Sequence, residues 1–123
     1  MLVDDDDNIR TVAMIGLEDE PGWKILEARS GIEALEIAKS EKPDLILLDM
    51  MMPGMDGKVT LQHLRTSDET SDTPVIFMTA KVQTHEIESY IKLGAMGVIT
   101  KPFDPLNLVS EIVEILSGKE NAG

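Results

Sequence analysis

PDLILLDMMMPGMDG, residues 43–57, contains an uninterrupted apolar run of strand length, Leu45 to Leu48. Most other apolar residues of this chain recur at helical spacing, so the run reads as a central parallel strand buried on both faces. Asp49 closes the run, and Pro53, Gly54 and Gly57 prevent regular structure from continuing. Open α/β sheets hold their ligands at the carboxyl ends of such strands, which makes Asp49 the first candidate functional residue. The competing explanation is an aspartate that merely ends a strand, since Asp is common at turns.

Toward the N-terminus, Ser30 and Glu33 have capping-box spacing and open a helix whose Ile32, Ala34, Leu35 and Ala38 face the core. Before it, Trp23 to Ala28 reads as a strand carried by Ile25, Leu26 and Ala28. Met1, Leu2 and Val3 form a first, short strand, followed at once by Asp4 to Asp7. Acidic groups favour the positive end of a helix dipole, which accounts for Asp6 and Asp7. Asp4 and Asp5 instead occupy the same place after their strand that Asp49 occupies after its own. Ile9, Val12, Ala13, Gly16 and Leu17 then give a first amphipathic helix that ends before Pro21 and Gly22.

Toward the C-terminus, Val59, Leu61 and Leu64 predict a third helix, followed by a polar loop from Ser67 to Thr73. Pro74 introduces a second fully apolar run, Val75 to Met78, which ends in Thr79, Ala80 and Lys81. Thr84 is a candidate cap for a fourth helix carrying Ile87, Tyr90, Ile91 and Ala95, and Gly94 to Gly97 stop it. Val98 and Ile99 make the last strand, running into Thr100, Lys101 and Pro102. Asp104 and Pro105 suit the N-cap and first turn of a final helix with Leu108, Val109, Ile112, Val113 and Leu116 as its apolar stripe.

Composition narrows what such a chain can do. Its 123 residues suit one domain burying roughly two-thirds of its unfolded surface. With no cysteine there is no disulfide framework, zinc-thiolate site or cysteine nucleophile, and the cytoplasm is the expected compartment. No apolar run approaches the ~20 residues of a membrane span, and MLVDDDD has no signal-peptide pattern. A formal charge of -12, from 23 acidic and 11 basic side chains, would repel a phosphate backbone and argues against direct nucleic-acid binding.

Strands alternating with helices, joined by right-handed crossovers, give a parallel sheet with helices on both faces. Asp4 and Asp5, Asp49, Thr79 and Lys101 then all fall at its carboxyl edge. Three converging carboxylates repel one another unless a cation shares them. A hard oxygen donor set without sulfur or a histidine pair suits Mg²⁺.

The Asp4-Asp5 pair, Asp49 within LLDMMMPGMDG, Thr79-Ala80 and Lys101-Pro102-Phe103 resemble, in order and spacing, the receiver domain of two-component response regulators. The resemblance covers residues 1–117 and leaves 118–123 as a C-terminal tail. It implies a flavodoxin-like (βα)5 fold with sheet order 2-1-3-4-5, as in a chemotaxis receiver. It also implies Asp49 as phosphoacceptor, with Mg²⁺ held by Asp5, Asp49 and the Met51 backbone carbonyl, and Asp4 acting largely through water. Lys101 and Thr79 would contact the phosphoryl group, and Pro102 resembles the family's cis-proline. The implied donor is a phosphohistidine on a sensor histidine kinase or phosphotransfer protein. Output would pass through the fourth helix, fifth strand and fifth helix to an effector protein or output domain. Catalysis would be limited to the domain's own phosphorylation and dephosphorylation.

Three features depart from the family pattern. The first strand starts at Met1 and offers little backbone for pairing. Val98 stands where many receivers carry an inward-turning aromatic, and Met51 and Lys81 stand two residues beyond Asp49 and Thr79, where neither orients attacking water. Two rival readings are a phosphorylation-independent interaction module and an aspartyl-phosphate hydrolase; the complete acidic site opposes the first. Met50 and Met51, where a hydrolase needs an acid-base carboxylate, oppose the second. His63 and His85 read as surface residues, and Met50, Met51, Met52 and Met55 as adaptable packing beneath a loop.

Overall fold

The computed structural model describes residues 1–118; residues 119–123 of the expected tail lie outside the described residues. The sheet contains β1 (Leu2–Val3), β2 (Glu27–Ala28), β3 (Ile46–Asp49), β4 (Val75–Thr79) and β5 (Gly97–Thr100). All pairings are parallel and the order is β2-β1-β3-β4-β5, the topology the resemblance implies. Between the strands run α1 (Asp7–Leu17), α2 (Gly31–Glu41), α3 (Gly57–Thr66) and α4 (Thr84–Lys92). A 3-10 turn (Pro105–Asn107) leads into α5 (Leu108–Leu116).

Strand side chains alternate between faces, so β3 feeds two cores. Ile46 and Leu48 pack with Val75 and Phe77 beneath α2, α3 and α4, through Ala34, Ala38, Leu61, Leu64 and Tyr90. Leu47 packs with Ile76, Met78 and Ile99 beneath α1 and α5, through Ala13, Leu17, Leu108, Ile112 and Ile115. The helices start where their caps dictate. Asp6 accepts from Asn8 and Ile9 N–H, Ser30 from Glu33 N–H, Asp56 from Val59 N–H, and Asp104 from Leu106 N–H.

Several expectations are corrected. β2 covers only Glu27–Ala28, because β1 offers only Leu2 and Val3 as ladder partners. Thr84 does not cap α4; it is the first helical residue, after an N-cap Gln83 that makes no side-chain cap bond. Ile32 is 60% exposed and Val113 50%, while Ile115, absent from the expected stripe, is 1% exposed. Val12, Val59, Ile91 and Leu116 are also exposed, and on α1 Arg10 is buried beside Ala13 and Leu17.

Candidate functional site

The carboxyl edge is assembled by strand register. β3 ends in Asp49, which lies opposite Met78 of β4, and Thr79 follows one residue on, opposite Thr100 of β5. Asp4 directly follows β1, and Lys101 directly follows β5. Asp4, Asp49 and Thr79 are buried, at 0%, 3% and 1% exposure, although all three are polar. α3 begins against the backbone of this edge: a Cβ on Gly57 would lie 2.6 Å from the Asp49 carbonyl oxygen, so only glycine fits. On the other face a Cβ on Gly16 would lie 2.3 Å from the Pro105 carbonyl oxygen, which lets α1 approach the chain that follows Lys101.

One ammonium joins the two buried carboxylates. Lys101 Nζ donates to Asp4 Oδ2 at 2.7 Å and to Asp49 Oδ1 at 3.0 Å, and the Lys101–Pro102 peptide is cis. The Asp4 carboxylate also accepts from Asp6 N–H at 2.9 Å, so both its oxygens are engaged. Asp49 Oδ1 accepts from Met51 N–H at 3.2 Å. Asp5 is exposed, yet one carboxylate oxygen from each of Asp4, Asp5 and Asp49 lies within 4.8 Å of the others. Thr79 Oγ1 accepts from Lys81 N–H at 3.1 Å.

The electrostatics follow from this crowding. Burial, above all, and the Asp4 charge push Asp49 up from 3.8 to about 6, against the opposing pull of Lys101 and the Met51 N–H. Burial alone would lower Lys101, but hydrogen bonds to Asp4 and Asp49 and their charges raise it overall. The two shifts are compatible, because one ammonium draws on two carboxylates whereas Asp49 shares with Asp4 the one cation that pairs with it among the described residues. The edge is therefore short of positive charge. Three clustered carboxylates with an exposed member open to water form an oxygen donor set that fits Mg²⁺.

Residues 1–113 match the family model described as the response regulator receiver domain. The chain belongs to the response regulator receiver family. It is 37% identical over 116 residues to the phosphate regulon transcriptional regulatory protein PhoB of Pseudomonas aeruginosa, covering 94% of this chain and 50% of that protein. It is 36% identical over 121 residues to sporulation initiation phosphotransferase F of Bacillus subtilis, covering 98% of this chain and 95% of that protein. It thus spans about half the length of several relatives, the transcriptional regulators, and nearly all of the phosphotransferase. Among solved structures, the chemotaxis response regulator CheY4 of Vibrio cholerae superposes with a TM-score of 0.85 at 29% identity, covering 93% of this chain and 94% of that one.

Within this receiver, Asp4, Asp5, Asp49 and Lys101 come together as expected from sequence, and Thr79 stands beside them on β4. Met51 is 63% exposed at the rim, while Met50 and Met52 are buried beneath the loop. His63 and His85 are both exposed. Sequence reasoning missed Arg10. Only 8% exposed, it donates from Nη1 to the Asp4 carbonyl at 2.7 Å, pairs with Asp7, and lies 3.5 Å from Glu27. Its guanidinium thus fixes the backbone of the acidic loop and offsets part of its charge. The available signal was a lone cation three residues into a helix that follows four aspartates. Among the described residues no helix is long and apolar enough to cross a membrane.

Proposed function

We propose that this receiver is a phosphorylatable switch of a two-component system in which Asp49 is the phosphoacceptor. A carboxylate oxygen of Asp49 bonds to phosphorus as the P–N bond of a partner's phosphohistidine breaks and the imidazole takes the bonding pair. The partner is a sensor histidine kinase or a histidine phosphotransfer protein in the cytoplasm. The observation that carries this reading is a buried carboxylate at the end of the central strand, hydrogen-bonded to one ammonium and flanked by two further carboxylates within 4.8 Å.

Asp5, Asp49 and the Met51 backbone carbonyl are the proposed Mg²⁺ ligands, with Asp4 acting through water because both its oxygens are already engaged. When bound, Mg²⁺ supplies the positive charge that the phosphoryl oxygens require. Lys101 holds Asp49 in place and brings a second positive charge to it. Thr79 exchanges its bond from Lys81 N–H for one to a phosphoryl oxygen, moving the β4–α4 loop. The resulting change in the α4–β5–α5 surface regulates an effector protein or output domain. The domain turns over no external substrate; it assists only its own phosphorylation and dephosphorylation.

Mass spectrometry after incubation with a phosphohistidine donor or acetyl phosphate tests the assignment. Wild type gains one phosphoryl group in the presence of Mg²⁺ and Asp49→Asn gains none. Equal labelling of the two proteins would sink it.

A further inference from the structure

Val98 of β5 pairs with Phe77 of β4 and packs at the edge of the core beneath α2, α3 and α4. A small β-branched side chain fills little of that space and has little rotamer freedom. The aromatic bulk comes instead from α4. Tyr90 is 3% exposed and meets Phe77 edge-on, with ring centroids 5.5 Å apart and planes at 67°. Its hydroxyl donates to the Lys81 carbonyl at 3.3 Å. Burial first, and then the Glu86 charge, raise that hydroxyl above its ordinary value against the opposing pull of its contact with the Thr79 side chain, and it is a donor at neutral pH. Lys81 in turn donates its N–H to Thr79 Oγ1 at 3.1 Å.

Thr79, Lys81 and Tyr90 are thus joined by two consecutive hydrogen bonds, one to each end of Lys81. Beside them lies a hollow of about 170 Å³ lined by Met50, Met51, Lys58, Lys81 and Tyr90 among others. The loop therefore has both a tether and room to move. We propose that Tyr90 is a latch on the β4–α4 loop: its hydroxyl holds the resting position of Lys81 and is released when Thr79 turns toward a phosphoryl group on Asp49. This step rests on the reading of Asp49 as phosphoacceptor. Turning Thr79 about χ1 carries Oγ1 away from both the Lys81 N–H and the Tyr90 hydroxyl, which frees Lys81 to move and stretches the Tyr90 bond until it breaks. A bond made only in the resting state biases the equilibrium toward rest by its own net free energy.

Tyr90→Phe keeps the ring against Phe77 and removes only the hydroxyl, with its contacts to the Lys81 carbonyl and the Thr79 side chain. In the metal-free protein, amide exchange at residues 81–84 should quicken in Tyr90→Phe while residues 46–49 of β3 exchange as in wild type. Unchanged exchange at 81–84, or equal acceleration of β3, overturns the latch whatever Asp49 does. With Mg²⁺, beryllofluoride should bind Tyr90→Phe about fivefold more tightly than wild type, as expected for loss of one neutral hydrogen bond from the resting state alone. Equal or weaker binding overturns the release step. A wild type that bound no beryllofluoride would overturn the phosphoacceptor reading and the release step with it, while exchange would still report on the tether.

Discussion

At the carboxyl edge of the sheet, β1, β3 and β5 run into Asp4, Asp49 and Lys101, which are bridged by hydrogen bonds of 2.7 and 3.0 Å. At the amino edge β1 and β3 begin around an apolar hollow of about 320 Å³ lined by Leu2, Leu17, Trp23, Ile25, Leu47 and Ile112 among others. Because every strand points the same way, all strand-ending loops collect on one edge, and charge accumulates there at the expense of stability. The amino edge and the two cores supply the stability instead. Substitutions at the two edges should therefore separate ion binding from folding.

The largest separation is expected for Asp5→Ala. Losing a direct ligand should weaken Mg²⁺ affinity by at least about 100-fold, since even partners one shell further out contribute 10–100-fold. Phosphorylation should fall with it. The metal-free protein should unfold at an unchanged or slightly higher urea concentration, because the exposed Asp5 makes no hydrogen bond or ion pair among the described residues and lies close to two other carboxylates. A titration giving wild-type Mg²⁺ affinity would remove Asp5 from the ligand set.

The converse substitution lies one strand residue from the amino edge. Leu47 is 3% exposed and packs among Leu2, Ile76 and Ile112. Leu47→Ala should cost about 2 kcal/mol in urea unfolding, the low end of the range for buried leucines, because the hollow beside it already interrupts the packing. Its Mg²⁺ affinity should match wild type. A loss of affinity alongside the loss of stability would mean that the two edges are not independent.

The sequence disclosed the carboxyl edge better than the helix surfaces, for physical reasons. β3 and β4 are buried on both faces, so their apolar runs had no helical competitor, and the residues that end them were fixed as soon as the strands were. β2 was overextended because Trp23 to Leu26 have strand composition, whereas pairing is limited by what β1 offers, Leu2 and Val3. On the helices, 100° steps leave borderline positions that hydrophobicity alone does not resolve. Val113 faces solvent and Ile115 the core, and on α1 the buried Arg10 is held by a carbonyl and two carboxylates that no pattern of apolar residues could signal. The sequence places Tyr90 on the fourth helix, but its hydroxyl's partner, Lys81, lies in a loop whose path depends on the whole fold.

A smaller effect is expected from pH. Asp49 is raised to about 6 from 3.8 in the folded chain, so its protonated form is the favoured one. Its contribution to stability is fully present below about 3.8 and is lost as pH rises through about 6. Asn mimics the protonated acid. Without metal, Asp49→Asn should therefore match wild type at acidic pH and exceed it by about 1–2 kcal/mol at neutral pH, a figure reduced for solvent screening. Urea unfolding at both pH values measures this. If the Lys101 bond outweighed burial, the variant would instead be less stable at neutral pH.

The smallest expected effect is none at all, at Trp23. The chain has one Trp and one Tyr, so each edge carries its own reporter. Trp23 lines the amino-edge hollow, whereas Tyr90 lines the smaller hollow beside Met50 and Met51. β3 runs from Ile46 to Asp49, three residue steps, which separates the edges by about 10 Å at ordinary strand rise. The carboxylates that bind a cation at Asp49 offset its charge, so the net field reaching Trp23 should change little. Packing offers no easier route, because Leu2 and Leu47 line the hollow with Trp23 and the empty space beside them absorbs small displacements. Tryptophan emission should stay constant through a Mg²⁺ and beryllofluoride titration in which the Tyr90 ring resonances shift. Emission at Trp23 that titrated with the midpoint of the Tyr90 shifts would show the strands transmitting the event from edge to edge, and the division of labour between them would have to be abandoned.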